Sequence, residues 1–286
     1  MASLLAWVIS LLFINQLPGS QDILSELGQD PIQVKLDAPK PITVIVEGKD
    51  YTVTPLYSYD IRGLVVSLHH SGSAFDIVHD MWGDKLNLKD LCLIWGSNVR
   101  GRLYDHFSFS SGNFTCFVKT DDYAAWQAFN PEQLSNNHIL AVDEEVIKAI
   151  MAADIGDQVA FKGWLSEYSH AGGFHRSTST TRQDTGDGAC ETIFVNEFKI
   201  LKRGNPAWHV LHTGSGSLAV LLGLMGLLNF LKEFFFTPRR TAEEHYELAK
   251  DAVLARQYAK ALRELNRALE ASPDTAKYYE LRSALQ

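Results

Sequence analysis

The sequence predicts an α+β fold: a β-rich domain placed between two apolar, membrane-type helices and followed by a helical hairpin. Three observations carry this prediction. Two apolar runs, residues 2–17 and 216–236, bracket the middle of the chain. The segment between them alternates apolar and polar residues at the period of two expected of strands. After Pro238 the apolar spacing changes to that of an amphipathic helix. With 286 residues, 46% of them apolar, the chain can fill one large core or two smaller ones. It divides as 1–19, 20–210, 213–236 and 241–286.

The first run, ASLLAWVISLLFINQL, is uncharged and stops at Pro18-Gly19. No Lys or Arg precedes Lys35 and no small-residue cleavage pattern is clear, which favours a retained anchor over a cleaved signal peptide. At 1.5 Å per residue it reaches only about 24 Å, a thin span. Next, PITVIVEGKDYTVTPLYSY alternates around Glu47-Gly48-Lys49-Asp50, the form of a hairpin. LVVSLHH, DLCLIWG and NFTCFVKT are short β-branched and aromatic runs between turn residues. DEEVIKAIMAAD is a helix, with acids in its first turn and an apolar face of Val146, Ile147, Ile150 and Met151. QVAFKGWLSEYS and TIFVNEFKIL are two more strands, joined by a long polar loop and expected to pair.

The second run has one polar residue, Asn229, within 218–231. Lys232 can snorkel, and the phenylalanines at 234–236 suit an interface. Ser215, Ala219 and Gly223 recur every four residues on one face, the small-residue pattern that admits a second helix, a further copy of the chain included. Asp22, Glu26 and Asp30 follow the first run, and Lys232, Arg239 and Arg240 follow the second. This asymmetry places residues 20–210 outside the cytoplasm (periplasmic) and the C-terminus inside, although Lys199, Lys202 and Arg203 act against it. The expected location is the cell membrane, with the lipid bilayer as one partner.

The net charge is −8, and its acid excess lies in residues 20–212, which hold 16 Lys/Arg and 25 Asp/Glu. Without a basic block, no nucleic-acid partner is expected. Cys92, Cys116 and Cys190 lack the spacing of a zinc site; one disulfide plus a free thiol, or three buried thiols, both fit. DTGDGACE (184–191) contains Asp-Thr-Gly, yet an aspartic protease needs a second such turn after an apolar strand. Asp184 follows a polar stretch, and the nearest echo, Asp154-Ile155-Gly156, leaves no room for a second lobe. A polar binding loop fits better, with Gly186 and Gly188 permitting tight turns. Asp184, Asp187 and Glu191 lack the alternate-oxygen order of calcium loops. His69, His70 and His79, and His170 with His175, lack ligand spacing, so no metal is expected. No phosphate loop, Gly-x-Ser-x-Gly or dinucleotide fingerprint appears, so no cofactor is expected. His138, Asp184 and Cys190 are the candidates for a catalytic or ligand site.

The order of strands, one helix and a closing hairpin is similar to an oligosaccharide/oligonucleotide-binding (OB-like) barrel. SNNHILAVDEEVIKAIMAADIGDQVAFKGWL, followed by RQDTGDGACETIFV, resembles a stretch of membrane-anchored bacterial proteins of unassigned function, which implies that Asn137, His138, Asp184 and Cys190 belong to one module. The tail resembles a tetratricopeptide (TPR) repeat through Leu248, Ala249, Tyr258, Ala261, Leu265, Ala268 and Pro273, and departs from it at His245 and Arg256. Because about three such repeats are normally needed to cover each other, the resemblance implies protein partners in a membrane complex, contacted by Tyr258, Leu265, Tyr278 and Tyr279. The expected function is that of a membrane-anchored interaction or scaffold protein, more a non-enzyme than an enzyme. The alternative is an enzyme or ligand-binding receptor with its site in the middle domain.

Overall fold

A computed structural model describes residues 2–71, 81–112, 114–186, 189–236 and 240–285. It divides into a β-rich unit through Ser217 and a helical unit from Leu218.

Among the described residues the β-rich unit holds ten strands: β1 (Ile32–Lys35), β2 (Ile42–Val46), β3 (Lys49–His70), β4 (Asn87–Ile94), β5 (Ser108–Gly112), β6 (Thr115–Lys119), β7 (Leu134–Leu140), β8 (Gln158–His170), β9 (Phe174–Arg176) and β10 (Glu191–Lys202). The predicted β2–β3 hairpin turns at Glu47 and Gly48, both at positive φ, and pairs Val46 with Lys49. Positive φ at both central residues is the turn that matches strand twist.

Strand β3 organises the sheet because its 22 residues are long enough to serve several partners. Residues 51–64 pair with β8, and residues 64–70 pair with β4. The hydrogen-bonded path β3-β4-β7-β10-β8 therefore returns to β3. All pairings along it are antiparallel except β7 with β10, which is parallel. Gly163 permits the β8–β10 contact, since a Cβ there would lie 2.1 Å from the Phe194 carbonyl oxygen. Leu91, Trp95, Ile139, Phe161, Leu165 and Ile193 fill the core inside this circuit. β8 and β10 pair as predicted.

Helix α1 (Ala2–Leu11) precedes the strands; α2 (Tyr123–Ala128) and α3 (Glu144–Ala152) interrupt them. Helix α3 starts where its acids predict. Asp143 caps it by accepting from the Glu145 and Val146 amides, 3.0 Å each. Its C-terminal end receives Lys89, a buried β4 residue whose ammonium donates to the Ala153 and Met151 carbonyls. A cation there complements the helix dipole. Burial lowers this ammonium to about 8, against the opposing charges of Asp154 and Asp157. Ile150 is buried and Val146 and Ile147 pack on the core, but Met151 is exposed, so the apolar face is narrower than its spacing suggests.

The predicted N-terminal span is corrected. Only ten residues form α1, about 15 Å of helix, because the chain turns at 12–15. α1 lies antiparallel beside the first turns of α4 (Pro206–Leu231). Phe13 stacks on Trp208 at 4.5 Å, Trp7 on His212 at 5.4 Å, and Ser10 Oγ lies 2.9 Å from His212 Nδ1. Ser215 is buried, whereas a Cβ at Gly223 would meet nothing within 4 Å. Where both helices leave the strands, Asp157 accepts from Arg203 at 2.7 Å and from the Gly204 amide at 2.7 Å. Asn205 donates there to the Gln16 carbonyl. Gly156 and Gly204 approach so closely that a Cβ on Gly204 would meet Gly156 backbone at 2.5 Å. Among the described residues, only 206–235 form a helix long and apolar enough to cross a membrane.

In the helical unit α5 (Ala242–Leu254), α6 (Tyr258–Ala271) and α7 (Ala276–Ser283) follow the predicted breaks. Thr241 and Glu244 close a capping box on α5. Leu265 and Tyr278, expected on a partner surface, are instead buried with Ala249, Ala268 and Leu269, because α7 folds back on the hairpin. Tyr258 and Tyr279 remain half exposed, and Leu254 is 83% exposed. The α5–α6 turn places Arg256 at φ 57°. Since that conformation suits glycine, Arg256→Gly should raise the helical unit's stability by about 0.5–1 kcal/mol in urea unfolding followed by circular dichroism. A loss of stability would mean that the Arg256 side chain makes a compensating contact.

Candidate functional site

The most unusual element is β7. Its residues Ser135, Asn136, Asn137 and His138 are all buried, on both faces of the strand. Burying such groups is unfavourable unless each finds a partner. Its neighbours supply most of them. Asn137 Nδ2 donates to the Leu91 carbonyl (3.0 Å) and to Ser135 Oγ (2.8 Å).

His138 stands opposite Asp90 of β4, and its Nδ1 lies 2.7 Å from Asp90 Oδ1. Its Nε2 lies 3.0 Å from an Arg176 guanidinium nitrogen. A guanidinium only donates, so Nε2 accepts and Nδ1 carries the proton given to Asp90. Burial pushes the Asp90 carboxyl up, but His138, the Asn87 amide and the Arg176 charge outweigh it and hold the carboxyl below its usual range. Arg176 also lies over the Phe114 ring at 4.0 Å. Phe114 takes φ 64° because it belongs to the tight turn of the β5–β6 hairpin, which pairs Gly112 with Thr115.

Above this network lies a cavity of about 290 Å³. Phe114, Trp126, Phe129 and Leu134 form its apolar walls, and its polar part includes Asn136, Asp184 and Cys190 beside the hydroxyls of Thr115, Ser135 and Thr185. Cys92 and Cys116 form a disulfide that ties β6 to β4, and Cys190 is free. The cavity thus gathers residues from β6, β7, α2 and the loop before β10.

Two of the three candidate site residues meet here. Asp184 and Cys190 line the cavity, while His138 is fully buried beneath it. A Cys190–His138 nucleophile and base pair does not form. Both ring nitrogens are engaged by Asp90 and Arg176, and the thiol points to the Phe114 carbonyl oxygen at 3.4 Å. Burial raises the Cys190 thiol above its ordinary value, the wrong direction for a nucleophile.

Asp184 accepts from Ser179 Oγ, and Asp154 accepts from the Ile155 amide near Lys89 and Asp157, so the two Asp-x-Gly sequences serve separate networks. Glu191 is buried and binds Arg182 at 2.9 Å. Burial, opposed by Arg182 and reinforced by Asp184, pushes its carboxyl up to about 7. Arg182 in turn lies 5.2 Å from the Trp95 ring and donates to the Tyr59 hydroxyl at 3.2 Å, which fastens the polar loop. Among the described residues no three His, Cys, Asp or Glu side chains converge on a metal position. Asp187, Gly188 and His79 lie outside the described residues. His170 Nε2 lies 3.0 Å from the Trp82 carbonyl, and His175 pairs with Glu167 at 3.7 Å.

Sequence reasoning missed β7, Asn136, Asp90 and Arg176. A run such as SNNH lacks alternation and β-branched residues, so its only signal was its place between the apolar Leu134 and Ile139-Leu140. No family model matches this chain, and no curated protein or solved structure matches it.

Proposed function

We propose that this chain is a membrane-anchored interaction protein, an accessory or assembly subunit of a larger membrane complex. The supporting observation is the surface of α4. Its 26 residues contain no Asp, Glu, Lys or Arg, and none of its most apolar window is buried by the rest of the chain. So long an apolar surface is covered by lipid or by other spans. In this reading α1, too short to cross alone, enters the bilayer as a flank of α4. The β-rich unit lies on the extracytoplasmic side, to which the Cys92–Cys116 disulfide is suited. Its closed strand circuit has a helix between the third and fourth strands and a parallel third–fifth pairing; we read it as a small OB-like barrel. The TPR-like hairpin then lies in the cytoplasm, where Leu254, Tyr258 and Tyr279 offer apolar contact to a protein partner.

One substitution and one deletion separate the parts of this proposal. Leu224→Arg introduces a charge worth about 2.5–3.5 kcal/mol against insertion. It should shift the chain from the carbonate-resistant membrane fraction to the soluble one. Deletion of 242–286 should leave the chain in the membrane and remove subunits that co-purify in mild detergent. A Leu224→Arg chain still fully membrane-bound, or an unchanged set of co-purifying subunits, would each overturn the corresponding part. The second reading, a ligand-binding receptor, is favoured by the cavity that joins Asp184 to Cys190.

A further inference from the structure

We infer that the cavity above β7 binds a small aromatic molecule carrying an N–H or O–H donor, at a site formed by Asn136, Asp184 and three aromatic rings.

Three features support this. The cavity, at about 290 Å³, has walls of Phe114, Trp126 and Phe129, which suit a flat apolar body. Asn136 forms part of its lining, is 5% exposed, and has a buried side-chain oxygen with no hydrogen-bond partner among the described residues. A buried acceptor left unpaired is costly, and a turn of the Asn136 amide, whose oxygen is shielded from the cavity, lets a ligand donor relieve that cost. The second polar group, Asp184, is also an acceptor, engaged on one oxygen by Ser179. Acceptors and a carboxylate together favour a donor and repel an anion. The lining also holds the hydroxyl residues Thr115, Ser135 and Thr185, and the Cys190 thiol, which donates to the Phe114 carbonyl oxygen and provides a reporter, since it is the chain's free thiol.

Indole and 1-methylindole test the inference, because they share a ring and differ in the N–H. The full chain is placed in lipid nanodiscs, and the rate of Cys190 alkylation by N-ethylmaleimide is followed at matched free concentrations of each compound. Indole should slow alkylation saturably, and 1-methylindole should require a roughly tenfold higher concentration, the factor expected for one lost buried hydrogen bond. Trp126→Ala, a half-exposed position at the cavity edge, should weaken indole protection at least fivefold while leaving the melting curve in place. Asn136→Leu, where it folds, should make the two compounds equal. No saturable protection by indole, equal protection by both compounds in the unsubstituted chain, or unaltered protection in Trp126→Ala would each overturn the inference. None of these outcomes bears on membrane retention or on co-purifying subunits, so it fails separately from the interaction role.

Discussion

Replacing Cys92 and Cys116 by serine is expected to lower the stability of the β-rich unit by roughly 3–4 kcal/mol. The bond joins residues 24 apart and closes the excursion that leaves β4 and returns through β6. In the chain-entropy account, a loop of that length gains most of its stabilisation from restricting the unfolded chain. The excursion is held as well by Trp95, Val99 and Tyr104, buried in the core, by the Tyr104 hydroxyl donating to the Pro18 carbonyl at 2.6 Å, and by Asn98 bonded to the Asn130 and Gln133 carbonyls at 2.7 and 3.1 Å, so the bond adds to packing that the unfolded chain lacks. Urea unfolding of the detergent-solubilised chain, followed by tryptophan fluorescence, measures the effect. Cys190→Ser is the control and should leave the midpoint near that of the unsubstituted chain. A double serine variant with an unshifted midpoint would show that the bond does not stabilise the native chain.

Glu191 sets the second large effect. Its carboxyl titrates near 7 in the folded chain, against an ordinary 4.5, chiefly because it is buried. Between those values the folded state keeps a proton that the unfolded state has released. The Glu191 contribution to stability therefore falls as pH rises from about 4.5 to about 7, by on the order of 3 kcal/mol, and is constant above that. Glu191→Gln should abolish that slope, and at pH 7.5 its remaining cost is the unpaired Arg182. Lys89 acts in another window and in the opposite sense. Its folded value near 8 lies below the ordinary 10.5, so its contribution makes stability rise with pH from about 8 to about 10.5. Melting curves from pH 4.5 to 7.5 for both chains decide the matter. Parallel slopes would refute a buried, proton-holding Glu191.

The parts of the fold that were legible in the sequence share one property: their stabilising pattern is local. The Glu47-Gly48 turn, the acids and cap of α3, the alternation of β8 and β10, and the breaks around α6 can each be read within a dozen residues. The exposure of Met151 and the early end of α1 are not legible locally, because apolar composition alone does not say where a helix ends or which side is covered. The burial of Leu265 and Tyr278 is not legible locally either, because the return of α7 depends on packing between helices.

The sequence by itself determined the α+β class, the long uncharged α4, the hairpin tail and the membership of Asp184 and Cys190 in one polar region. Only the tertiary structure decided that β3 would pair on both sides and return the sheet to itself, since pairing is a relation between distant strands. It alone placed His138 between Asp90 and Arg176, which removes it as a base for Cys190. The physical reason is the same in both cases: whether a polar residue is solvated, satisfied or left waiting for a ligand depends on partners far away in the chain, and local pattern carries no record of them.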